Sequence, residues 1–304
     1  MTSNLHNLMK VHKDTPTSLA MAFLFINAFF TCASVVSAQD INTMLMESTF
    51  KIAGPSKQDA TKFTVGTMFL IGIPTKANPE QSYIVMVTAA HVFDEIAGDD
   101  ATIFLRRKGA DGVYVKIPFP IKIRDKGKPL FVKHDNADVV AMYLSIPNDI
   151  AGNLELIPTN LLANDKVFEK YEIHPGDELL CLGYPFLAES NKAGFPILRS
   201  GKIASYPLIP AKTVKTFLFD FTIFEGYSGG PVYMDYNGRI YQNINHVGEM
   251  VQYIAGLVTQ QLTSLPEYHN QPLELAVVVP AQFIEETIKL LPDNDLKSEN
   301  KKNH

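Results

Sequence analysis

The feature that most constrains the fold of this 304-residue chain is a series of short apolar segments separated by turn residues. From Phe50 onward these segments recur at intervals of roughly ten to fifteen residues, which is typical of an all-β barrel or sandwich. The dipeptides Asp111-Gly112 and Asn237-Gly238 favour tight hairpins, because both turn positions tolerate positive φ. The predicted strands cover residues 63–71, 83–88, 101–106, 113–117, 130–132, 139–145, 178–182, 197–205, 217–224, 232–234, 239–241, 253–259 and 275–279.

One long helical pattern accompanies the strands. Residues 280–290 place apolar side chains on a single stripe, with Pro280 near the start, and predict a C-terminal α-helix. Residues 293–304 are charged and have nothing to bury, so they are predicted to form a disordered tail. The polar and irregular segment 147–172 is predicted to be the crossing between two halves of the β structure.

The composition is that of an ordinary globular protein, with 46% hydrophobic and 19% charged residues. The formal net charge is −5. A chain with this balance is not attracted over any distance to nucleic acid or to an anionic lipid surface. The charge therefore argues against such partners and directs attention to catalytic groups.

The first part of the chain is typical of a targeting segment. A weakly basic lead precedes the almost wholly apolar stretch 19–30, and small residues at 36–38 offer a cleavage site. Residues 1–38 are therefore predicted to be a signal peptide, and 39–49 a short N-terminal segment or propeptide. The alternative is a retained membrane anchor, because the apolar stretch approaches the length that spans a bilayer.

The cysteine content is consistent with export. After cleavage at Ala38 the mature chain would retain only Cys181, which excludes an intramolecular disulfide. We expect a protein of bacterial type that is exported to the periplasm or the medium and is stabilised by its core alone. No membrane contact is expected once the signal peptide is removed.

The strongest local signal is the glycine-rich segment Gly226-Tyr227-Ser228-Gly229-Gly230-Pro231. A serine is a useful nucleophile when small neighbours expose its hydroxyl and backbone N–H groups nearby can hold an oxyanion. The segment also fits the nucleophile elbow of α/β hydrolases, but an elbow leads into a helix, whereas residues 232–241 predict a hairpin. A plain glycine-rich turn is the remaining alternative.

Two further segments place catalytic residue types beside apolar strands. His91 follows the predicted strand 83–88 and is preceded by two alanines, which leave the room that a tightly held imidazole needs. Asp138 stands at the start of an otherwise apolar strand, where an ionised carboxylate is costly unless it is hydrogen-bonded or paired. A histidine N–H is a natural partner for it. Taken alone, His91 could be structural, Asp138 could cap a turn, and Asp135 is an alternative acid.

In the order His91, Asp138 and Ser228, these segments resemble the trypsin-like serine proteases, especially the bacterial branch that lacks disulfides. The resemblance covers about residues 50–291 and includes further matching segments at 66–70, 183–185, 200–203, 254–257 and 277–280. It implies a protease domain over 50–292, all-β, with two six-stranded antiparallel β-barrels and a C-terminal α-helix.

The resemblance also implies an exported serine endopeptidase that acts on protein or peptide substrates and needs no metal or cofactor. Ser228 would attack the scissile carbonyl, His91 would take and return the proton, and Asp138 would hold the imidazole. The N–H groups of Gly226 and Ser228 would form the oxyanion hole. The alternative is a catalytically inactive protease fold that serves as a binding or scaffold protein.

The substrate pocket is less well specified. By the resemblance Thr222 lies near its base, and residues 253–257, among them Tyr253, Ala255 and Gly256, form a wall. Neither place carries an acidic side chain, which disfavours a preference for Arg or Lys. A small or apolar preference is expected, with Glu as the alternative through Thr222 and His246.

Two departures from the family bear on activity. Tyr227 stands where digestive relatives have an aspartate that pairs with a freshly cut N-terminus, so activation by that ion pair is not expected. A bulky side chain here could also tilt the loop that makes the oxyanion hole. Residues 243–252 are expected to form a loop of the second barrel that affects specificity or regulation.

Overall fold

The computed structural model describes residues 40–293, which form two β structures one after the other. The strands of the first half are β1 (Thr49–Pro55), β2 (Phe63–Pro74), β3 (Ser82–Thr88), β4 (Asp100–Lys108), β5 (Tyr114–Lys122), β6 (Arg124–Asp125), β7 (Lys128–Pro129), β8 (Val132–Lys133), β9 (Val140–Leu144) and β10 (Ile157–Pro158). Those of the second half are β11 (Glu178–Gly183), β12 (Ile197–Ile203), β13 (Phe217–Asp220), β14 (Pro231–Tyr241), β15 (Ile244–Thr263) and β16 (Pro272–Pro280).

The helices are short and lie between or beside the strands. They are α1 (Ile41–Ser48), α2 (Ala90–Glu95), α3 (Asn148–Ala151), α4 (Asp165–Lys170), α5 (Ala211–Val214) and α6 (Ala281–Lys289), with 3-10 turns at Thr159–Leu161, Pro185–Leu187 and Pro266–Tyr268. Helices α3 and α4 fall in the predicted crossing segment, which is therefore less irregular than its sequence indicates. Within residues 40–293, no helix is long and apolar enough to cross a membrane.

The two halves differ in how their strands pair. The first half is an eight-stranded sheet in the order β5-β4-β1-β2-β3-β9-β8, with β10 added to β2 in parallel. The second half is a closed barrel in the order β11-β12-β13-β16-β15-β14, with antiparallel neighbours throughout. The expected all-β class with antiparallel sheets and a C-terminal helix is confirmed. In the second half the six strands pair with one another in a closed ring.

The hairpin between β14 and β15 corrects a sequence-based expectation. The segment 243–252 was expected to be a loop, but all of it except Asn243 belongs to the 20-residue strand β15. The turn falls at Gln242 and Asn243, which both have positive φ. The predicted turn residue Gly238 instead lies inside β14, where the pairing register shifts between Asn237 and Arg239. At this irregularity Gly238, which has positive φ, lies opposite the three residues 247–249 of β15, so the extra residues are on β15 and the asparagine–glycine pair does not form the hairpin turn.

Helix α1 makes residues 40–49 an integral part of the fold. Ile41 and Leu45 are one turn apart on the same face and are fully buried in the first core. At its start the side chain of Asp40 accepts a hydrogen bond from the N–H of Asn42. The predicted signal peptide lies outside the described residues, and so does the predicted tail apart from Asp293, which pairs with Lys76.

Helix α6 joins the two halves. It follows β16 of the second barrel, yet its buried side chains Phe283, Ile284 and Ile288 belong to the core of the first half. These are residues of the predicted apolar stripe, so that part of the prediction is confirmed. Burial of each such side chain is worth about 1.5–3 kcal/mol relative to exposure. The C-terminal helix thereby stabilises the contact between the halves across which the site is built.

We expect the substitution Leu45→Ala to lower the free energy of unfolding by about 2–5 kcal/mol, because it leaves a cavity in a packed core. Thr43→Ala, at an exposed position of the same helix, is the matched control and should cost about 1 kcal/mol or less, the worth of its hydrogen bond to Asp40. The measurement is urea-induced unfolding. Equal stability of the two variants would contradict an integral role for α1.

Candidate active site

A cleft of about 720 Å³ lies between the two halves and contains all three residues predicted to be catalytic. We call it the central cleft. The first half contributes the segments around Phe63 and His91, and the second half contributes residues 223–226, Ser228 and the end of β15. Its lining residues are Ser56, Gln58, Asp59, Lys62, Phe63, Thr64, Val65, His91, Val92, Glu95, Asp138, Ile223, Phe224, Glu225, Gly226, Ser228, Thr259, Gln260 and Gln261.

Strand pairing brings His91 and Asp138 together. Strands β3 and β9 are antiparallel, with Thr88 opposite Val140. His91 comes three residues after Thr88, in the first turn of α2, and Asp138 comes two residues before Val140. Antiparallel register therefore places both residues at the same end of the strand pair, at the edge of the central cleft.

The carboxylate of Asp138 holds His91 at two points. Its Oδ1 accepts the backbone N–H of His91 at 2.9 Å, and its Oδ2 lies 2.6 Å from the imidazole Nδ1. An ionised carboxylate can only accept, so Nδ1 carries the proton and Nε2 is left as the basic nitrogen. Both side chains are about one-third exposed, at 33% each. The imidazole is therefore oriented by protein and still open to the cleft.

This contact sets the charge state of the pair. Burial lowers the pKa of His91, but the hydrogen bond and the negative charge of Asp138 outweigh it, so the pKa is raised above 6.5. For Asp138, burial raises the pKa, but the hydrogen bond to His91 and the charge of His91 outweigh burial and bring the pKa below 3.8. Because folding raises the pKa of His91 and lowers the pKa of Asp138, this contact stabilises the fold fully between about pH 3.8 and pH 6.5. Its contribution is lost as pH rises through the raised pKa of His91 and as pH falls through the lowered pKa of Asp138.

Ser228 is held between the two halves. Its carbonyl oxygen accepts the N–H of Thr67 in β2 at 2.8 Å, and the next residue, Gly229, donates its N–H to Val258 in β15 at 2.7 Å. Gly229 has φ +87, and a Cβ there would lie 2.1 Å from the carbonyl oxygen of Thr67. The glycine after the serine is therefore required by close approach of the backbones as well as by conformation.

The hydroxyl of Ser228 makes a contact that its sequence does not reveal. Its Oγ donates to the carbonyl oxygen of Thr259 at 3.0 Å. This hydrogen bond holds the hydroxyl against the end of β15, in the same cleft as His91. A rotation about the Cα–Cβ bond would release it, and catalytic hydrogen bonds are often absent or long when no substrate is bound.

Two backbone N–H groups beside Ser228 are available to a ligand. Within residues 40–293, the N–H groups of Gly226 and Ser228 donate to no protein acceptor. The preceding carbonyl, that of Glu225, accepts the N–H of Phe186 at 2.8 Å. Because a trans peptide has its C=O and N–H on opposite sides, this bond turns the N–H of Gly226 away from Phe186. Together the two donors can stabilise a negatively charged oxygen.

Tyr227 packs beneath this segment and not into the central cleft. Its side chain is fully buried in the second core, with its ring edge-on to Phe221 at 5.0 Å between centroids. A Cβ at Gly183 would lie 2.3 Å from the Tyr227 ring, so the ring fills the space that this glycine leaves. Burial raises the pKa of Tyr227 to about 12. The residue supports residues 225–228 by apolar packing, without an ion pair.

Residues 184–195, which we call the flanking loop, hold the Glu225 carbonyl through Phe186 and are fastened to the first half. The carboxylate of Glu189 pairs with Lys51 of β1 and with Lys116 of β5, the latter at 2.7 Å. Phe186 and Leu187 both have positive φ, at 48° and 68°. Large side chains rarely adopt this conformation, so the tip of the flanking loop is strained.

Arg106 is the second attachment of the flanking loop. Its guanidinium is 3% exposed and lies between the rings of Phe50 and Phe195, 4.1 Å and 4.3 Å from their centroids. In the described part of the chain it pairs with no carboxylate. Burial lowers the pKa of Arg106. Its donors go to oxygens of Met46, Glu47 and Thr49 at the end of α1, and of Tyr184 and Gly194 in the flanking loop.

The expected pocket wall is not where the sequence placed it. Tyr253 and Ala255 are buried in the core of the second barrel, and Gly256 is paired on both sides, with Val232 and Pro280. Thr222 lies outside the lining of the central cleft, and its carbonyl accepts a hydrogen bond from Arg199. The cause is the length of β15, whose last residues, and not its middle, reach the cleft.

The residues that take this place are Ile223, Phe224 and Glu225 on one side and Thr259, Gln260 and Gln261 on the other. The sequence contained one signal for the cleft-lining residues at 259–261. They lie at or just after the end of the predicted strand 253–259, and residues at strand ends emerge from a barrel. His246, considered as a specificity residue, instead stacks on Tyr241 and contacts Glu249 at 3.1 Å in the β14–β15 hairpin.

No family model matches the chain, and no curated protein matches it. Similar solved structures include protease Anisep from Arthrobacter nicotinovorans, at 14% identity over 80% of this chain and 94% of that one, with a TM-score of 0.45. The active form of the Rv3671c protease from M. tuberculosis is 18% identical over 93% of both chains, with a TM-score of 0.44. The thermostable serine protease AL20 from an extremophilic microorganism is 12% identical over 80% of this chain and 96% of that one, with a TM-score of 0.41. At these values the function has to be inferred from the geometry of the site.

We expect Arg106→Met to lower the free energy of unfolding by at least about 3 kcal/mol, because it leaves several buried carbonyl oxygens without a donor. Arg107→Met, at the next and exposed position of β4, is the matched control and should change stability by less than about 0.5 kcal/mol. Urea unfolding followed by tyrosine fluorescence measures both. A methionine variant as stable as the wild type would show that the buried cation is dispensable.

Proposed function

We propose that this protein is a serine endopeptidase that cleaves peptide bonds through an acyl-enzyme intermediate, with His91, Asp138 and Ser228 as its catalytic residues. The observation that carries the proposal is the doubly held imidazole. Asp138 fixes both the backbone and the Nδ1 of His91, which leaves Nε2 as a base in the cleft that also contains the Ser228 hydroxyl. Two free N–H donors flank that hydroxyl.

The proposed reaction begins when the Ser228 hydroxyl leaves the Thr259 carbonyl and turns toward His91. Nε2 takes the hydroxyl proton while Oγ bonds to the scissile carbonyl carbon, and the N–H groups of Gly226 and Ser228 stabilise the resulting oxyanion. Collapse of this intermediate breaks the C–N bond, and the imidazolium gives its proton to the leaving amine. A water molecule, deprotonated by Nε2, then hydrolyses the ester and restores Ser228.

The end of β15 offers a way to bind an extended peptide. Strand β14 pairs with β15 only as far as Pro231 opposite Leu257, whereas β16 pairs with β15 on its other side up to Thr263. Beyond Val258, one edge of β15 is therefore unpaired and faces the cleft at Thr259, Gln260 and Gln261. The backbone of the acyl half of a substrate can add to this edge as a short strand.

A second candidate, a catalytically inactive binding or scaffold protein, is favoured by one observation, the hydrogen bond from Ser228 to Thr259. If that bond persisted in the presence of substrate, the hydroxyl would not reach His91. Export to the periplasm or medium is a further part of the main proposal, and it rests on the apolar stretch 19–30 of the sequence.

Exposure to a fluorophosphonate tests for an activated serine. We expect the intact mass of the wild-type protein to increase by one adduct and that of Ser228→Ala to remain unchanged, because only a serine activated by a base reacts. Ser56→Ala removes another serine of the same cleft and should leave labelling intact. An unlabelled wild-type protein that is correctly folded would overturn the proposal and favour the inactive binding protein.

The pH dependence of hydrolysis tests the base. Since His91 must be neutral to accept a proton, kcat/KM should rise with pH through a midpoint above 6.5, the raised pKa of His91. Asp138→Asn removes the charge that raises this pKa and disturbs the tautomer, so the midpoint should fall and kcat should drop by about 10⁴-fold. Asp111→Asn, at an exposed turn position outside the lining of the central cleft, is the matched control and should leave the midpoint in place. A midpoint that Asp138→Asn does not move would exclude the proposed role of this contact.

A further inference from the structure

A second concave surface opens beside the central cleft and is apolar. We call it the side groove; its volume is about 500 Å³ and it lies over strands β1 and β4 of the first half. Its walls include Ala53, Pro55, Phe63, Phe104, Pro120 and Leu187. The side groove shares Phe63 and Val65 with the lining of the central cleft, so the two form one continuous surface.

The side groove displays large apolar side chains to solvent. Phe63 is 65% exposed and Leu187 is 54% exposed. The ammonium of Lys51, the basic group in its wall, is already paired with Glu189 of the flanking loop. Grouped exposed apolar side chains of this kind mark binding surfaces more often than single ones do. The other charged group in the wall is the exposed carboxylate of Asp100, at the start of β4. An anionic occupant would lose its hydration here without an unpaired cation in the wall, and a cationic occupant would have only this solvated carboxylate, a pairing that is worth little.

Backbone strain is an independent observation at the same place. Leu187 and its neighbour Phe186 hold positive φ although neither is glycine. Such a conformation costs about 1–3 kcal/mol for each residue and tends to persist where it serves a function. Here it keeps Leu187 at the mouth of the side groove while the backbone N–H of Phe186 holds the carbonyl of Glu225.

The position of Ser228 indicates which part of a substrate reaches the side groove. Ser228 lies between Thr67 of β2 and Thr259 of β15. The acyl half has to stay in register with Gly226 and the β15 edge through both chemical steps, so it occupies the β15 side. A chain that crosses Ser228 therefore continues on the β2 side, toward Phe63, with the half that departs as the amine.

On the basis of the proposed function, we propose that the side groove binds an apolar side chain of the substrate on the C-terminal side of the cleaved bond. The groove thereby makes the enzyme selective for polypeptides with a large aliphatic or aromatic residue shortly after the cleavage point. A hydrophobic pocket of this kind discriminates by displacing water from apolar surface, and each lost methylene weakens binding of the transition state modestly.

The test compares internally quenched peptides that share one acyl half and carry either leucine or asparagine, an uncharged polar residue of similar size, at successive positions after the cleaved bond. At one of these positions the wild-type protein should cleave the leucine peptide about 10-fold or more faster in kcat/KM. In Leu187→Asn, whose side chain tolerates positive φ, and in Phe63→Ser the preference should shrink toward unity. Val247→Asn, which changes an exposed apolar residue of the β14–β15 hairpin, should keep the full preference.

A short anilide with the same acyl half and no residue after the cleaved bond separates the two proposals. Every peptide rate is divided by the rate of this anilide for the same variant, which removes any effect on the chemical step. Anilide hydrolysis without a leucine preference, or a preference that both groove variants retain, would overturn the side groove proposal. Loss of both anilide hydrolysis and fluorophosphonate labelling in the wild type would overturn the proposed function and this proposal together.

Discussion

The buried guanidinium of Arg106 is the interaction on which the arrangement of the site depends. A cation removed from water loses several kcal/mol of solvation, and here carbonyl oxygens and two aromatic faces replace the water instead of a carboxylate. The carbonyls of Met46 and Glu47 belong to the last turn of α1, where the helix dipole favours positive charge. One side chain thus joins the N-terminal helix, β4 and the flanking loop.

This attachment has a consequence at Gly226. The flanking loop holds the carbonyl of Glu225 through Phe186, and the carbonyl of Tyr184 lies so close to Gly226 that a Cβ there would be 2.2 Å from it. The orientation of the Gly226 N–H is therefore set by a loop that is itself fixed by Arg106 and Glu189. Tyr227 adds apolar packing from below. A segment held in this way needs no ion pair at position 227 to stay in place.

The sequence was informative where a local pattern corresponds to a local structure. The strand-and-turn spacing predicted the β class, the stripe of residues 280–290 predicted α6, and Asp138 before an apolar strand predicted a partner for His91. Helix α1 was missed because its apolar residues that contact the core, Ile41, Leu45 and Met46, are too few to make a periodic pattern. The extent of β15 was missed because residues 244–250 have apolar side chains only at every third position, Ile244, Val247 and Met250, and lack the alternation that marks a strand. The burial of Arg106 depends on carbonyls from distant segments, which no local pattern reveals.

The two halves contribute different residues to the proposed catalytic site. His91 and Asp138 belong entirely to the first half, whereas Ser228 is carried by the second. Thr67 of β2 crosses this boundary: its N–H donates to the carbonyl of Ser228, and its hydroxyl donates to the carbonyl of Gly226 at 2.6 Å. The segment 226–228 is thereby tied to the same sheet that carries His91. Two hydrogen bonds from one buried threonine thus help to set the distance between His91 and Ser228.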